Sequence, residues 1–245
     1  MSEAAPSPRL RYQRLAAARG RLLSAAAGRV PRASLAQQAR TLALWDGRQA
    51  TPGDEAQHAL LLDLGVLDPV GGHLSGLERQ ARAAPPEPGS DEAAMLEALR
   101  RARFGLWRVL GPHPEGGARL APLEEGEEVW VMDGFLGAAP AGALVAARLA
   151  WPAEFAMTCG VVAAADARLL ERLLLDLPPQ RGPVLPSRPA AGDAEAVAAL
   201  LALPAARQRL RALLAEPGLA ARTYRHALDL GLMGPVPGRT PPEAA

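Results

Sequence analysis

Apolar positions follow a helical period through the first hundred residues, alternate in short runs from Phe104, and return to the helical period after Asp166. Leu10, Leu15, Leu22 and Leu23 form a stripe that predicts a helix over Arg9–Ala27, stopped by Gly28, behind a disordered lead at residues 1–8. A second helix is expected from Ser34, whose spacing to Gln37 is that of a capping box, to Trp45. A third should open with Thr51 as cap and Pro52 at its first position. It carries Asp54 and Glu55 at the positive end of its dipole and ends at Gly65. Ser75–Ala84 predicts a short fourth helix before the breaker APPEPGS. Ser90 then caps a fifth, DEAAMLEALRRAR, with Met95, Leu99 and Ala102 on one face, acids first and arginines last.

The runs FGLWRVL, GARLAPL, EEVWVMD, GALVAARLAW and EFAMTCGVV are separated by the turn signals HPEGG, EEGEE, DGFLGAAPAG and WPAE. Five such runs in about sixty residues predict a small antiparallel sheet or partly open barrel, SH3-like or OB-like in size. In the last run Phe155, Met157, Cys159 and Val161 share a bulky face expected to pack inward. Ala156, Thr158, Gly160 and Val162 share a thinner face, open to cover by a flanking helix. Asp166 caps a helix expected to reach Leu177. A linker, PPQRGPVLPSRPAAGD, follows, then two or three helices from Asp193 to Leu232 and a frayed tail. The expected class is α+β: a helical region at 9–103, a β module at 104–165, C-terminal helices at 166–232 and a flexible tail at 233–245.

Composition changes this picture mainly by subtraction. The chain of 245 residues has no lysine, asparagine or isoleucine, so all 27 basic residues are arginine. Those three amino acids share A/T-rich codons, which points to a GC-rich genome and makes the arginine and alanine excess a poor functional signature. Without lysine there is no Schiff base, lysine general base or phosphate-loop lysine. Residues 1–50 carry nine arginines against Glu3 and Asp46, a local +7; residues 51–100 carry three against nine acids, a local −6. The basic start suits an acidic partner or nucleic acid, or it neutralises the acidic segment that follows; the second is the expectation, since surface charge blocks are common and screened. Its arginines and serines also resemble a transit peptide, against which the leucine spacing argues for a folded helix. No apolar run approaches the ~20 residues of a membrane span, and arginines interrupt any candidate signal region, so a cytoplasmic protein without a membrane partner is expected. The lone Cys159 rules out a disulfide within the chain and agrees with a reducing compartment.

Candidate chemistry is sparse. His58, His73, His113 and His226 stand singly, without the spacing of a metal site, and no cofactor motif is present. GHLSG misses the G-x-S-x-G elbow by the position of Ser75, which reads as a helix cap. The acids of EEGEE do not alternate as calcium ligands and read as a solvated turn that protects a sheet edge. Cys159 keeps apolar company and reads as a small core hydrophobe; no catalytic, cofactor-binding or metal-ligating residue is expected. Trp107, Trp130 and Trp151 fall in the β segment, where they either fill the core or line a partner-binding groove. Arg11, Arg14, Arg19 and Arg21 are the candidate nucleic-acid contacts; residues 113–133 hold six acids against Arg119, which argues against a phosphate-tracking barrel.

The stretches EPGSDEAAMLEALRRARFGLWRV, EEVWVMDGFLG and GALVAARLAWPAEFAMTCGVV resemble a group of proteins from GC-rich bacteria, in which a helical half precedes a small β module and a helical tail follows. The resemblance covers residues 10–235 and implies that architecture and a bacterial cytosolic setting; no activity or catalytic residue comes with it. The expected function is a non-catalytic protein-interaction or adaptor module with a protein partner. The alternatives are nucleic-acid binding through the arginine helix and an enzyme whose site is assembled from distant residues.

Overall fold

The computed structural model describes residues 7–175 and 194–233. Helix α1 spans Pro8–Ala27; Ser7 accepts a hydrogen bond from the Leu10 amide at 3.5 Å, and Leu15, Ala18, Leu22 and Ala26 form its buried stripe. Leu10, expected in that stripe, is instead exposed. Helix α2 spans Arg32–Thr41, starting before the expected Ser34 cap because Pro31 stands at the N-cap; Ser34 is buried inside it. Trp45 lies beyond the helix, because the chain turns at Ala43 with a positive φ and pairs Trp45 with Ala50 in an isolated bridge. Helix α3 spans Glu55–Leu67. Its cap is Asp54, whose carboxylate accepts from the Gln57 amide at 2.8 Å, while the Thr51 amide is taken by Leu44 in the preceding loop. Gly65 does not end α3: a Cβ there would lie 2.8 Å from Val30 Cγ1, so the glycine lets two elements approach. Helices α4 (Gly76–Ala83) and α5 (Asp91–Arg100) start at the expected caps, Ser75 and Ser90.

Strands β1 (Arg103–Pro112), β2 (Ala118–Pro122), β3 (Val129–Val131), β4 (Leu144–Ala150) and β5 (Met157–Thr158) form an antiparallel sheet in the order β3-β2-β1-β4-β5. A parallel bridge between Val131 and Ala156 nearly closes it, with hydrogen bonds of 2.8 Å from the Met132 amide to Ala156 and from the Ala156 amide to Trp130. The circuit is a small five-stranded barrel of the partly open Greek-key kind. Within the expected turn DGFLGAAPAG lies a short helix, α6 (Gly134–Gly137), capped by Asp133, whose Leu136 joins the barrel interior beside Val109, Leu120 and Val131.

The run EFAMTCGVV is not one strand. After β5 the chain crosses to β6 (Ala163–Ala165), which pairs with the other end of β4. The alternation holds but its direction is reversed from expectation. Ala156, on the thin face, fills the barrel, whereas Phe155, Met157 and Cys159 point outward into the layer of α1, α4 and α5. The reason is that helices wrap this barrel on the outside, so its largest cavity-filling demand lies between barrel and helices rather than within the narrow barrel.

C-terminal helices α7 (Ala167–Leu175), α8 (Ala194–Ala202), α9 (Pro204–Leu214) and α10 (Leu219–Asp229) cover another part of the barrel surface. Asp166 caps α7, accepting from the Leu169 amide at 2.9 Å. Their apolar cluster joins Leu60 and Leu64 of α3, Leu106 and Ala146 of the sheet, and Leu170, Leu210 and Tyr224 of the tail helices. All three stretches of the chain therefore share one core. The expected lead before residue 7, the end of α7 at Leu177, the linker and the tail beyond residue 233 lie outside the described residues.

Candidate functional site

The four candidate nucleic-acid arginines all face α1's own neighbours. Arg11 pairs with Glu154 at 2.9 Å, Arg14 with both oxygens of Asp91 at 2.8 and 2.9 Å, and Arg21 with Glu92 at 2.6 Å. Arg19 donates to the backbone oxygen of Thr158. These cations lie against the acidic start of α5 and the end of the β module. A guanidinium already engaged by a carboxylate has less to offer a phosphate, because the partner must be displaced first.

The three tryptophans separate. Trp107 is buried in the barrel, its indole donating to Ala147 at 3.0 Å. Trp130 is half-buried: it stacks on His113 with centroids 4.2 Å apart, meets Phe155 edge-on and donates to Gly116 at 2.8 Å. Trp151, just past β4, is 39% exposed.

Where α3, β4, the β5–β6 crossing and α10 meet, polar groups are buried together. Tyr224 donates its phenol to Asp63 at 2.9 Å, and Arg148, at 8% exposure, donates to Asp68 at 2.7 Å. Asp63 Oδ1 and Arg148 Nε have no well-formed hydrogen bond among the described residues. Burial raises the Asp63 carboxyl from 3.8 to about 6, against the pull of Arg148, Tyr224 and the Val161 amide. Burial likewise raises Asp68 despite Arg148, and raises Tyr224 together with the charge of Asp63. Burial works against the charge of Arg148, but Asp68 and Asp63 outweigh it and hold its guanidinium charged. Gly160 is required here, since a Cβ on it would come within 1.8 Å of Asp63 Oδ1.

Cys159 borders this junction at 1% exposure, its thiol directed at the Arg148 carbonyl at 3.5 Å. Burial pushes the thiol up to about 12, with Arg148 opposing too weakly to matter. At neutral pH it is therefore a thiol, sealed from reagents and poor as a nucleophile.

Above the junction opens a cleft of about 800 Å³ between the barrel and the α9–α10 connection. Its lining includes the Arg148–Asp68 pair, Phe104 and Trp107 of β1, Trp151, and the acidic turn Glu124–Glu127. Glu125 is tied to Arg207 at 3.5 Å and to Arg211 at 2.6 Å, which fastens the turn to α9. Arg103, Glu124 and Glu127 make no ion pair among the described residues. Of the candidate partner-binding residues, the cleft brings Trp107 and Trp151 together and leaves Trp130 elsewhere.

Asp63, Arg148 and Tyr224 escaped the sequence reading. The signal available for two of them was a lone charge inside an apolar run, LLLDLGVL and LVAARLAW. Such a charge must be paired or shifted in pKa when the run is buried. Among the described residues no group of three or more His, Cys, Asp and Glu is placed to hold a metal ion, and no helix is long and apolar enough to cross a membrane. Comparison with protein-family models, with curated proteins and with solved structures yields no match, so the reading of this site stands on its own geometry.

Proposed function

We propose that the chain is a non-catalytic protein-interaction module, a bacterial cytoplasmic protein as the resemblance of its sequence implies, whose contact surface is the cleft between the barrel and the α9–α10 connection. One observation carries this reading: the thiol and the raised carboxyl are sealed inside, while an exposed tryptophan and three exposed charges without ion partners among the described residues line one cleft. Cys159 and Asp63 are buried, whereas Trp151, Arg103, Glu124 and Glu127 present an aromatic plane and charges of both signs around one concavity. A buried aromatic anchor ringed by polar groups is the usual centre of a protein interface. The mixed charge disfavours a polyanion, for which a positive stripe is the expected footprint.

The test uses the full chain as bait under gentle lysis, alongside the Trp151→Ala and Arg103→Glu variants. A partner retained by wild type, lost by both variants and able to shift the emission of Trp151 supports the reading. Retention that ignores both variants removes the cleft from it. Rapid modification of Cys159 by a thiol reagent near neutral pH, in the native state, would overturn the non-catalytic part.

A further inference from the structure

The register of β1 leaves part of its edge without a neighbour. Strand β4 flanks β1 from Arg103 to Arg108, but β2 flanks it only from Trp107 to Pro112. The last bond on the β2 side runs from the Leu123 amide to the Leu106 carbonyl at 3.0 Å. Val109 exchanges its bonds with Ala143 and Gly142 on the β4 side, so odd-numbered residues of β1 turn their peptide groups toward β4 and even-numbered ones away from it. Phe104 thus directs its N–H and C=O to the side that β2 has already left, and neither meets a protein partner among the described residues. That side is the cleft, which is lined by Arg103, Phe104, Gly105 and Leu106 in succession.

We propose that the cleft takes an extended peptide that adds to this open edge as a strand, with an acidic side chain toward Arg103 and a basic one toward Glu124 and Glu127. The inference rests on the interaction reading above and names its occupant. Main-chain pairing to an exposed edge supplies affinity, and pockets for alternate side chains supply selectivity. The open stretch, from Arg103 to Gly105, has room for about three residues at roughly 3.4 Å each. Apolar side chains of the peptide meet Phe104 and Trp151. Its charges are set by position: Arg103 stands at the start of the edge, whereas Glu124 and Glu127 extend from the point beside Leu106 where β2 leaves. An unpaired strand edge asks for alternating amide donors and acceptors, which a peptide has and a nucleic-acid backbone lacks. The edge also lies between the turn at 122–127 and the residues 214–220, where a flexible segment fits better than the folded surface of a second copy.

A library of random dodecapeptides displayed on phage, selected on the full chain and counter-selected on Arg103→Glu, tests this. Arg103 is exposed and makes no ion pair among the described residues, so the variant should keep the wild-type circular dichroism. Selected peptides should carry an acid and a base on either side of apolar residues, and Arg103→Glu should exchange the acid for a base. When one such peptide is resynthesised, N-methylation at the one residue whose amide faces the Phe104 carbonyl should weaken binding about tenfold, the effect of one lost hydrogen bond, and N-methylation at its neighbours should not. Hydrogen exchange at the Phe104 amide should slow when the peptide is bound. Peptides that shift Trp151 emission yet ignore N-methylation and leave Phe104 unprotected would overturn the strand inference and leave the interaction reading standing. No selectable peptide, with Trp151 silent toward every partner recovered in the pull-down, would overturn both. Concentration-dependent dimerisation that protects Phe104 and is abolished by Arg103→Glu would give the edge to a second copy instead. Salt-sensitive binding of a mixed-sequence oligonucleotide that protects Phe104 would give it to nucleic acid.

Discussion

Two groups of arginine–carboxylate pairs in this protein, one in a helix seam and one beneath the cleft, do opposite things. Along the seam of α1, α4 and α5, Arg14–Asp91, Arg21–Glu92 and Arg100–Glu78 sit at the surface, with side chains 33–63% exposed. At the junction beneath the cleft, the Arg148 and Asp68 side chains are 9% and 23% exposed, beside a buried Asp63. In the seam, water and salt screen the charges, and the helices are held by Leu15, Leu22, Met95 and Leu99 underneath. In the junction the charges have left water, so neither partner can be spared. The carboxylates record the difference. Hydrogen bonds from Arg14 and Arg100 hold Asp91 and Glu78 below their ordinary pKa, whereas burial carries Asp63 and Asp68 above theirs although Arg148 is near. Residue type alone therefore says little about an ion pair; its distance from water decides its worth.

Breaking the junction is the most direct challenge to this contrast. Arg148→Ala should cost about 3–5 kcal/mol in urea unfolding, because it strands Asp68 and Asp63 in the core. A loss below about 1 kcal/mol would place the junction in the same class as an exposed pair.

A titration separates the regions by sign. Folded, Asp63 releases its proton near pH 6; unfolded, it does so near its ordinary 3.8. Between those values the folded chain holds a proton that the unfolded chain has given up. The stabilisation is full below about pH 4 and is lost as the pH rises through about 6, a change on the order of a few kcal/mol. Asp91 and Glu78 act in reverse: their lowered pKa favours the folded state above the ordinary carboxylate range, and that support is lost as the pH falls. Unfolding followed from pH 4 to 7 should therefore show Asp63→Asn losing the acid-side gain of the wild type. If the two proteins keep parallel pH profiles, Asp63 is not titrating in the core.

Smaller effects sharpen the comparison further. Tyr224→Phe removes the donor to Asp63 and should cost about 1–3 kcal/mol, since a buried acceptor is left short of a partner. Arg100→Gln, in the seam, should cost less than about 1 kcal/mol and shrink further in high salt. A seam substitution that matched the junction in thermal or chemical unfolding would erase the distinction.

Much of this architecture could be read from short-range signals. Ser75, Ser90 and Asp166 cap helices as their side chains require, and the change of period at Phe104 marks the start of the sheet within one residue. The readings that failed are those in which a local rule met a tertiary demand. Thr51 and Pro52 look like a helix start, but the loop bridge at Trp45–Ala50 takes that backbone and leaves the cap to Asp54. Gly65 looks like a stop, but the approach of Val30 needs a residue without a side chain there.

The candidate site was less legible, because it is made of groups far apart in the chain. Trp151 could be nominated from its residue type. Its exposure, the burial of Trp107 and the half-burial of Trp130 depend on which surfaces the helices cover. Residue order alone was enough for the α+β class, the helical–β–helical sequence of regions, the alternation that sets Cys159 and Ala156 on opposite faces, and the chemistry excluded by the lack of lysine; which of those faces fills the barrel was not among them. Tertiary structure decided that Arg14 and Arg21 of α1 turn onto α5, that Arg148 pairs with the distant Asp68 near enough to Asp63 for its charge to be felt there, and that β2 leaves β1 early enough to open an edge. Periodicity and capping act over a few residues and are written locally, whereas desolvation and pairing depend on what the rest of the chain brings to the same place.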